Sequence, residues 1–187
     1  MIYIITVLIS MVLIVAGNML FLPLCAGTLF DTSLSVVIGT AAIFALDGIF
    51  AFLIRRMTPK SWYMPGKKVF AVSKKEHKFY GKIHVKKWVN IVPELGGFTD
   101  FHKNHVGDMG DTKHLERFIL EANYGVVIHL ENAIFGFLIM FLPSVNSPSI
   151  WIPIYIVNFA LSLMPVCILR FNNYTLEKLY KRSIRTK

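Results

Sequence analysis

A chain of 187 residues supplies material for one domain, and this one is 55% hydrophobic and 17% charged, with a mean hydropathy of +0.55. Soluble domains carry about 25% charged residues, so the composition excludes an ordinary water-soluble globule and directs the surplus apolar surface to lipid. The net charge of +9, from 20 basic and 11 acidic residues, would point to nucleic acid in a soluble chain; here its distribution points to a membrane surface, and no nucleic-acid partner is expected.

The first apolar run extends from Ile2 to about Cys25 and holds Asn18 and Pro23 but no charge. No basic stretch precedes it, and it exceeds the about 7–15 residues of a signal-peptide core, so a retained helix is expected. Leu34 to Ile54 follows, broken only by Asp47. The third run, about Phe118 to Leu142, contains Glu121, His129 and Glu131; the fourth, Ile150 to Leu169, contains Pro153, Asn158 and Pro165. Each approaches the about 20 residues needed to cross a hydrocarbon core. Gly27-Thr28 with Asp31, and Pro143 to Pro148, read as the short turns between them.

These runs predict an all-α membrane protein: one domain over 1–187, with spans at about 2–25, 34–54, 118–142 and 150–169. A basic, amphipathic segment, 55–117, separates the second and third spans, and 170–187 forms a tail. Fourteen Lys/Arg lie between Arg55 and Arg117, six lie between Arg170 and Lys187, and the loops Ala26–Ser33 and Pro143–Ser149 have none. Basic residues stay on the cytoplasmic side, so both termini and the 55–117 segment are expected there, in a bacterial cell membrane.

Within that segment, Ser73 and Glu76 form the pattern of a capping box, Ser73 capping a helix and Glu76 reaching back to its amide. The helix is expected to set Phe79, Tyr80 and Ile83 on one side, toward the interface, and Lys74, Lys75, Lys78 and Lys82 largely elsewhere. Pro93 to Gly97 reads as a turn, and Asp111 or Thr112 as the cap of a helix running into the third span. Lys86, Lys87 and Trp88 place cations beside an indole, suited to a phosphate or headgroup and equally to a plain interfacial anchor.

Ionisable groups inside spans are costly and become functional candidates. Counting about 1.5 Å per residue from the cytoplasmic ends, His129 lies about 16 Å deep and Asp47 about 12 Å. Glu121, Gly125 and His129 share one helix face, and the glycine leaves room for an approaching group. His129 has the character of a general base, with Asp47 the more plausible orienting partner because Glu121 is about 12 Å of rise away. The plainer alternative is that His129 and Asp47 only bond neighbouring helices together, that Glu121 pairs with Arg117 one turn away, and that Glu131 is structural. Cys25 and Cys167 sit in apolar runs and read as unpaired buried residues; no zinc spacing, HExxH, GxSxG or phosphate-binding glycine loop occurs, so neither a metal nor an enzyme nucleophile is expected.

From about Phe79 to Leu179 the sequence resembles the glycosyl-4,4'-diaponeurosporenoate acyltransferase family. The shared features are Val85-Lys-Lys-Trp88 followed by Pro93-Glu94 and Gly96-Gly97, an aromatic four residues before a histidine at Phe101 and His105, Glu121 with His129 eight residues on, and Arg170-Phe-Asn172. Where the family pattern carries an arginine and a second glutamate after Glu121, this chain has Tyr124 and Val126.

The resemblance implies an O-acyltransferase that moves a fatty acyl group from a thioester, acyl-CoA or acyl carrier protein, to a hydroxyl of a carotenoid glycoside or related glycolipid. It needs no cofactor beyond that co-substrate. His129 or His105 would be the base and Glu121 a further site residue, with Asp47, read from its depth in the second span, orienting His129; Lys86, Lys87, Trp88, Arg170 and Asn172 would hold substrate. The alternative is a non-catalytic lipid-binding accessory subunit, working with a protein partner or as a homo-oligomer.

Overall fold

The computed structural model describes residues 2–21, 27–88 and 112–185, and every regular element among them is helical. In chain order these are α1 (Ile2–Phe21), α2 (Leu29–Met57), α3 (Lys74–Lys82), α4 (Val85–Trp88), α5 (Thr112–Phe135) and α6 (Pro148–Arg185). Single 3₁₀ turns occupy Lys60–Trp62 and Lys68–Phe70, and a longer one, Gly136–Phe141, continues α5. Four helices are long and apolar enough to span a membrane: Tyr3–Phe21, Leu29–Met57, Thr112–Phe141 and Pro148–Arg185. The last is far longer than the expected 150–169; at about 1.5 Å per residue its 38 residues extend about 57 Å, nearly twice a hydrocarbon core. The turn at Pro93–Gly97, Asp111 and Cys25 lie outside the described residues.

The described chain divides into two compact units, one built from residues 1–52 with 128–163 and the other from 53–127 with 164–187. In the first, large apolar side chains face outward, Val12 at 67% and Phe21 at 80% exposure among them. In water such a surface would drive association. In lipid it is the required exterior, and helix adhesion must come from close packing and hydrogen bonds, because tails are as apolar as leucine.

Those devices are visible residue by residue. Thr28 and Asp31 start α2 reciprocally: the Thr28 hydroxyl donates to Asp31 Oδ2 at 2.6 Å, and the Asp31 amide donates to Thr28 Oγ1 at 3.1 Å. Arg55 and Arg56 close its last turn, where cations complement the helix dipole. Ile14, Val36, Ile43, Ile139, Val145 and Ile154 make the apolar centre of the first unit. Asn132 of α5 donates to Asn158 Oδ1 at 3.2 Å and to Ser162 at 3.3 Å, and Asn158 Nδ2 returns a bond to the Asn132 carbonyl at 3.1 Å. A Cβ on Gly136 would collide with Asn158 Nδ2, so this amide ladder needs glycine there.

Asn18 performs a more specific task. Pro153 lies within α6 and has no N–H, so the Ser149 carbonyl four residues earlier loses its helical donor. The Asn18 amide of α1 supplies the missing bond at 3.0 Å, while also donating to Ile14 O at 2.9 Å. Asn18→Leu should therefore lower stability by about 0.6–1.7 kcal/mol, the range of such bonds between membrane helices. Pro153→Ala in the same background should recover most of the loss in a detergent thermal-unfolding assay; no coupling between the two substitutions would refute the account.

The second unit is held differently. Tyr80, Val85, Ile168 and Phe171 form its buried cluster, with Ile83, Trp88 and Cys167 packed against it. Ser73 caps α3 by accepting from the Glu76 amide at 3.1 Å, as the capping pattern predicts. The Glu76 carboxylate serves the expected box, through the Ser73 backbone amide, and pairs with Arg170 of α6 as well. The expected grouping of Phe79 with Tyr80 and Ile83 is also split: Tyr80 is buried and Phe79 is 55% exposed. His84, at φ 57, adopts the left-handed conformation that separates α3 from α4.

Candidate functional site

In the first unit, α2 and α5 bring Asp47 and His129 together, with Nδ1 of the imidazole 3.7 Å from a carboxylate oxygen. Both side chains are about a quarter exposed or less, at 20% and 26%. That separation is longer than a hydrogen bond but within reach of one after a small rotation. Asp47 Oδ1 is buried with no hydrogen-bond partner among the described residues, so the carboxylate has an unused acceptor facing the ring. The nearby cleft lined by Tyr3, Ser10, Thr40 and Asn158 offers only about 40 Å³, room for a water or two and not for a lipid tail.

In the second unit, Glu121 finds a partner other than Arg117. Arg55, at the end of α2, reaches its carboxylate at 2.7 Å and lies 5.2 Å from the centre of the Tyr124 ring. Tyr124 in turn packs on Tyr63, with ring centres 4.3 Å apart. Gly125, expected to leave room for a substrate group, instead admits Leu169, whose Cδ1 would stand 2.7 Å from an added Cβ.

Arg170 is already engaged. Its Nε donates to Glu76 Oε1 at 2.6 Å and its Nη2 to Oε2 at 3.1 Å, the two-pronged geometry that suits a guanidinium and a carboxylate. The Tyr80 hydroxyl donates to the same carboxylate at 2.8 Å. The Arg170 bonds hold the Glu76 carboxyl below its ordinary range, and burial, with the Glu76 contact, pushes the Tyr80 phenol up to about 12. Asn172 is half-buried; the asparagine that bonds is its neighbour Asn173, which donates to Asn123 Oδ1 at 2.7 Å, while Asn123 donates to the Tyr63 carbonyl at 2.8 Å.

Lys86 and Lys87 are exposed on α4, Lys86 Nζ standing 5.8 Å from the Phe171 ring, while Trp88 is half-buried against the second unit's core. His105 lies outside the described residues. His77 is a titratable group not singled out from sequence: its ring stacks on Phe171 at 4.5 Å and on Tyr174 at 4.2 Å. Burial, then Lys178 and Lys86, lower its pKa and favour the neutral imidazole. Among the described residues no group of three His, Cys, Asp or Glu side chains is placed to hold a metal ion.

The sequence from 59 to 182, well over half of the chain, matches the profile of the family described as glycosyl-4,4'-diaponeurosporenoate acyltransferase. The chain belongs to that family. Neither a curated protein nor a solved structure matches it. The glycosyl-4,4'-diaponeurosporenoate acyltransferase match takes in Glu76, Glu121, His129 and Arg170, and excludes α1 and Asp47 on α2.

Proposed function

We propose that the protein is a membrane O-acyltransferase that transfers a fatty acyl group from a thioester to a hydroxyl of a glycosylated lipid, a carotenoid glycoside or a relative of one, at the cytoplasmic leaflet. The observation that carries this reading is the Asp47–His129 pair, set between two membrane-spanning helices of a chain of this family. An imidazole whose Nδ1–H is held by a carboxylate presents Nε2 as the base. The acceptor hydroxyl gives its proton to Nε2 as its oxygen bonds the thioester carbonyl. The tetrahedral intermediate then expels the thiolate, which leaves as the thiol after taking that proton. His105 is the competing base from sequence.

The basic segment supports the cytoplasmic assignment by the distribution of lysine and arginine, and Lys86 and Lys87 offer charge to a phosphorylated donor. Arg170 acts here through its pair with Glu76, as a positioning residue. A non-catalytic reading is favoured by one observation: Glu121 and Arg170 are both neutralised by protein partners.

One experiment separates the two and tests the leaflet. Labelled palmitoyl-coenzyme A does not cross bilayers, so inside-out vesicles containing the protein and a glycolipid extract should form labelled acylated lipid, and right-side-out vesicles should not. Transfer in neither orientation would hand the case to the accessory reading; transfer only in right-side-out vesicles would reverse the leaflet.

A further inference from the structure

Between α2 and α3 the chain makes two one-turn 3₁₀ helices, Lys60–Trp62 and Lys68–Phe70, around Pro65 and Gly66. They wall a cavity of about 420 Å³ whose lining includes Trp62, Tyr63, Lys67, Lys68, Phe70 and Val127. Cavities of about 300–1,000 Å³ are the size that holds a cofactor-like molecule, and this one is roughly ten times the cleft in the first unit, about 40 Å³.

Its walls are fixed in place. The Tyr63 carbonyl accepts from Asn123 at 2.8 Å, its hydroxyl accepts from Thr58 at 3.1 Å, and the Gly66 amide donates to Glu177 of α6 at 2.8 Å. The floor is aromatic and buried, with Phe70 and Tyr63 at 6% and 5% exposure and ring centres 5.8 Å apart. At the rim, Trp62 is 61% exposed, and Lys67 and Lys68 are exposed with no ion pair or hydrogen bond of their side chains among the described residues. Tyr63 also packs on Tyr124, over whose ring lies Arg55, itself paired with Glu121.

We infer that this cavity binds the nucleotide end of a coenzyme A thioester, its phosphates on Lys67 and Lys68 and its base against Trp62. Unpaired ammonium groups beside a cavity call for phosphate, and an exposed indole next to them stacks a flat base whatever its sequence of atoms. A phospholipid headgroup would satisfy the lysines with the indole anchored at the interface; a nucleotide would fill the aromatic-walled space between them as well, and discs of different lipid composition separate the two. The assignment rests on the acyl-transfer reading for the fate of the thioester, though not for binding itself.

Coenzyme A, which has no acyl chain to partition into lipid, is the probe. Titrated calorimetrically into the full-length protein in nanodiscs of neutral phosphatidylcholine, it should bind saturably, and raised salt should weaken it. Lys67→Gln with Lys68→Gln should weaken binding at least tenfold, as should Trp62→Ala separately; all three side chains are exposed, so the fold is spared. No binding by the unaltered protein, or equal binding by the lysine variant, overturns the proposal. So does loss of coenzyme A binding when phosphatidylglycerol is added to the disc, which would make the site one for lipid headgroups, and so does loss on Lys86→Gln with Lys87→Gln while the Lys67 and Lys68 variant binds normally. Saturable, lysine-dependent binding by a protein that transfers no acyl group would uphold the cavity and sink the enzyme.

Discussion

His129→Gln is expected to reduce acyl transfer by about 10²–10⁴-fold, the usual contribution of general-base catalysis, while the purified variant keeps its unfolding temperature. Glutamine retains hydrogen-bonding capacity and similar bulk, so a histidine that only ties α5 to α2 would survive the change. It accepts no proton near neutral pH, so a base would not. Asp47→Asn is the companion: it keeps the shape beside Nδ1 but removes the charge that stabilises the imidazolium, and its activity should fall between the two. Near wild-type transfer by a folded His129→Gln protein would clear His129, and the same variant at His105 would then decide whether the base lies there.

Glu76→Gln is expected to destabilise the protein by about 1.5–3 kcal/mol, the range for a hydrogen bond to a charged partner. Nε and Nη2 of Arg170 donate to the two carboxylate oxygens at 2.6 and 3.1 Å. Both side chains are mostly shielded, with 21% of Arg170 and 26% of Glu76 exposed, so water replaces the lost bonds only in part. Arg170→Gln should cost a similar amount, and the double variant clearly less than the sum of the two.

The pH dependence has a definite sign. The folded carboxyl of Glu76 titrates below its ordinary 4.5, so below that pH the unfolded chain binds more protons and stability rises with pH. The contribution is complete above 4.5 and disappears as pH falls through the folded value, a slope Glu76→Gln should lack. An unchanged melting temperature would mean that Arg170 is free for substrate, as its place in the family pattern implies.

Much of this architecture was legible. Runs of apolar residues near the length of a bilayer core marked four helices, because backbone groups in lipid must be satisfied within the segment. Ser73 was readable as a cap because its chemistry is local. Asp47 and His129 could be paired across helices from depth alone, since both are ionisable groups at similar distances from the basic ends of their spans. The partners of Glu121, Glu76 and Arg170 were not readable in the same way.

Arg117 lay one turn from Glu121 and was the natural guess, but Arg55 is nearer in space, and no spacing rule reports which side of α2 its guanidinium leaves from. Glu76 meets the Ser73 amide as a local capping pattern predicts, but its second partner, Arg170, is 94 residues away and beyond any such pattern. Asn123 was the missed signal: an amide in a span is expensive enough to mark itself, and it links the Tyr63 carbonyl to Asn173.

That last link bears on how the protein is made. Asn123 bonds Tyr63, 60 residues earlier, and Asn173, 50 residues later. Synthesis delivers those segments in order, at about 5–20 residues per second, so α5 enters the membrane seconds before the amide that completes its polar face exists. During that interval the side-chain oxygen of Asn123 has yet to receive the Asn173 amide, which makes it a natural handle for insertion machinery or a membrane chaperone to hold. Premature termination anywhere before α6 would leave the handle permanently visible, and quality-control proteolysis of such fragments should depend on Asn123 more than on any apolar residue around it.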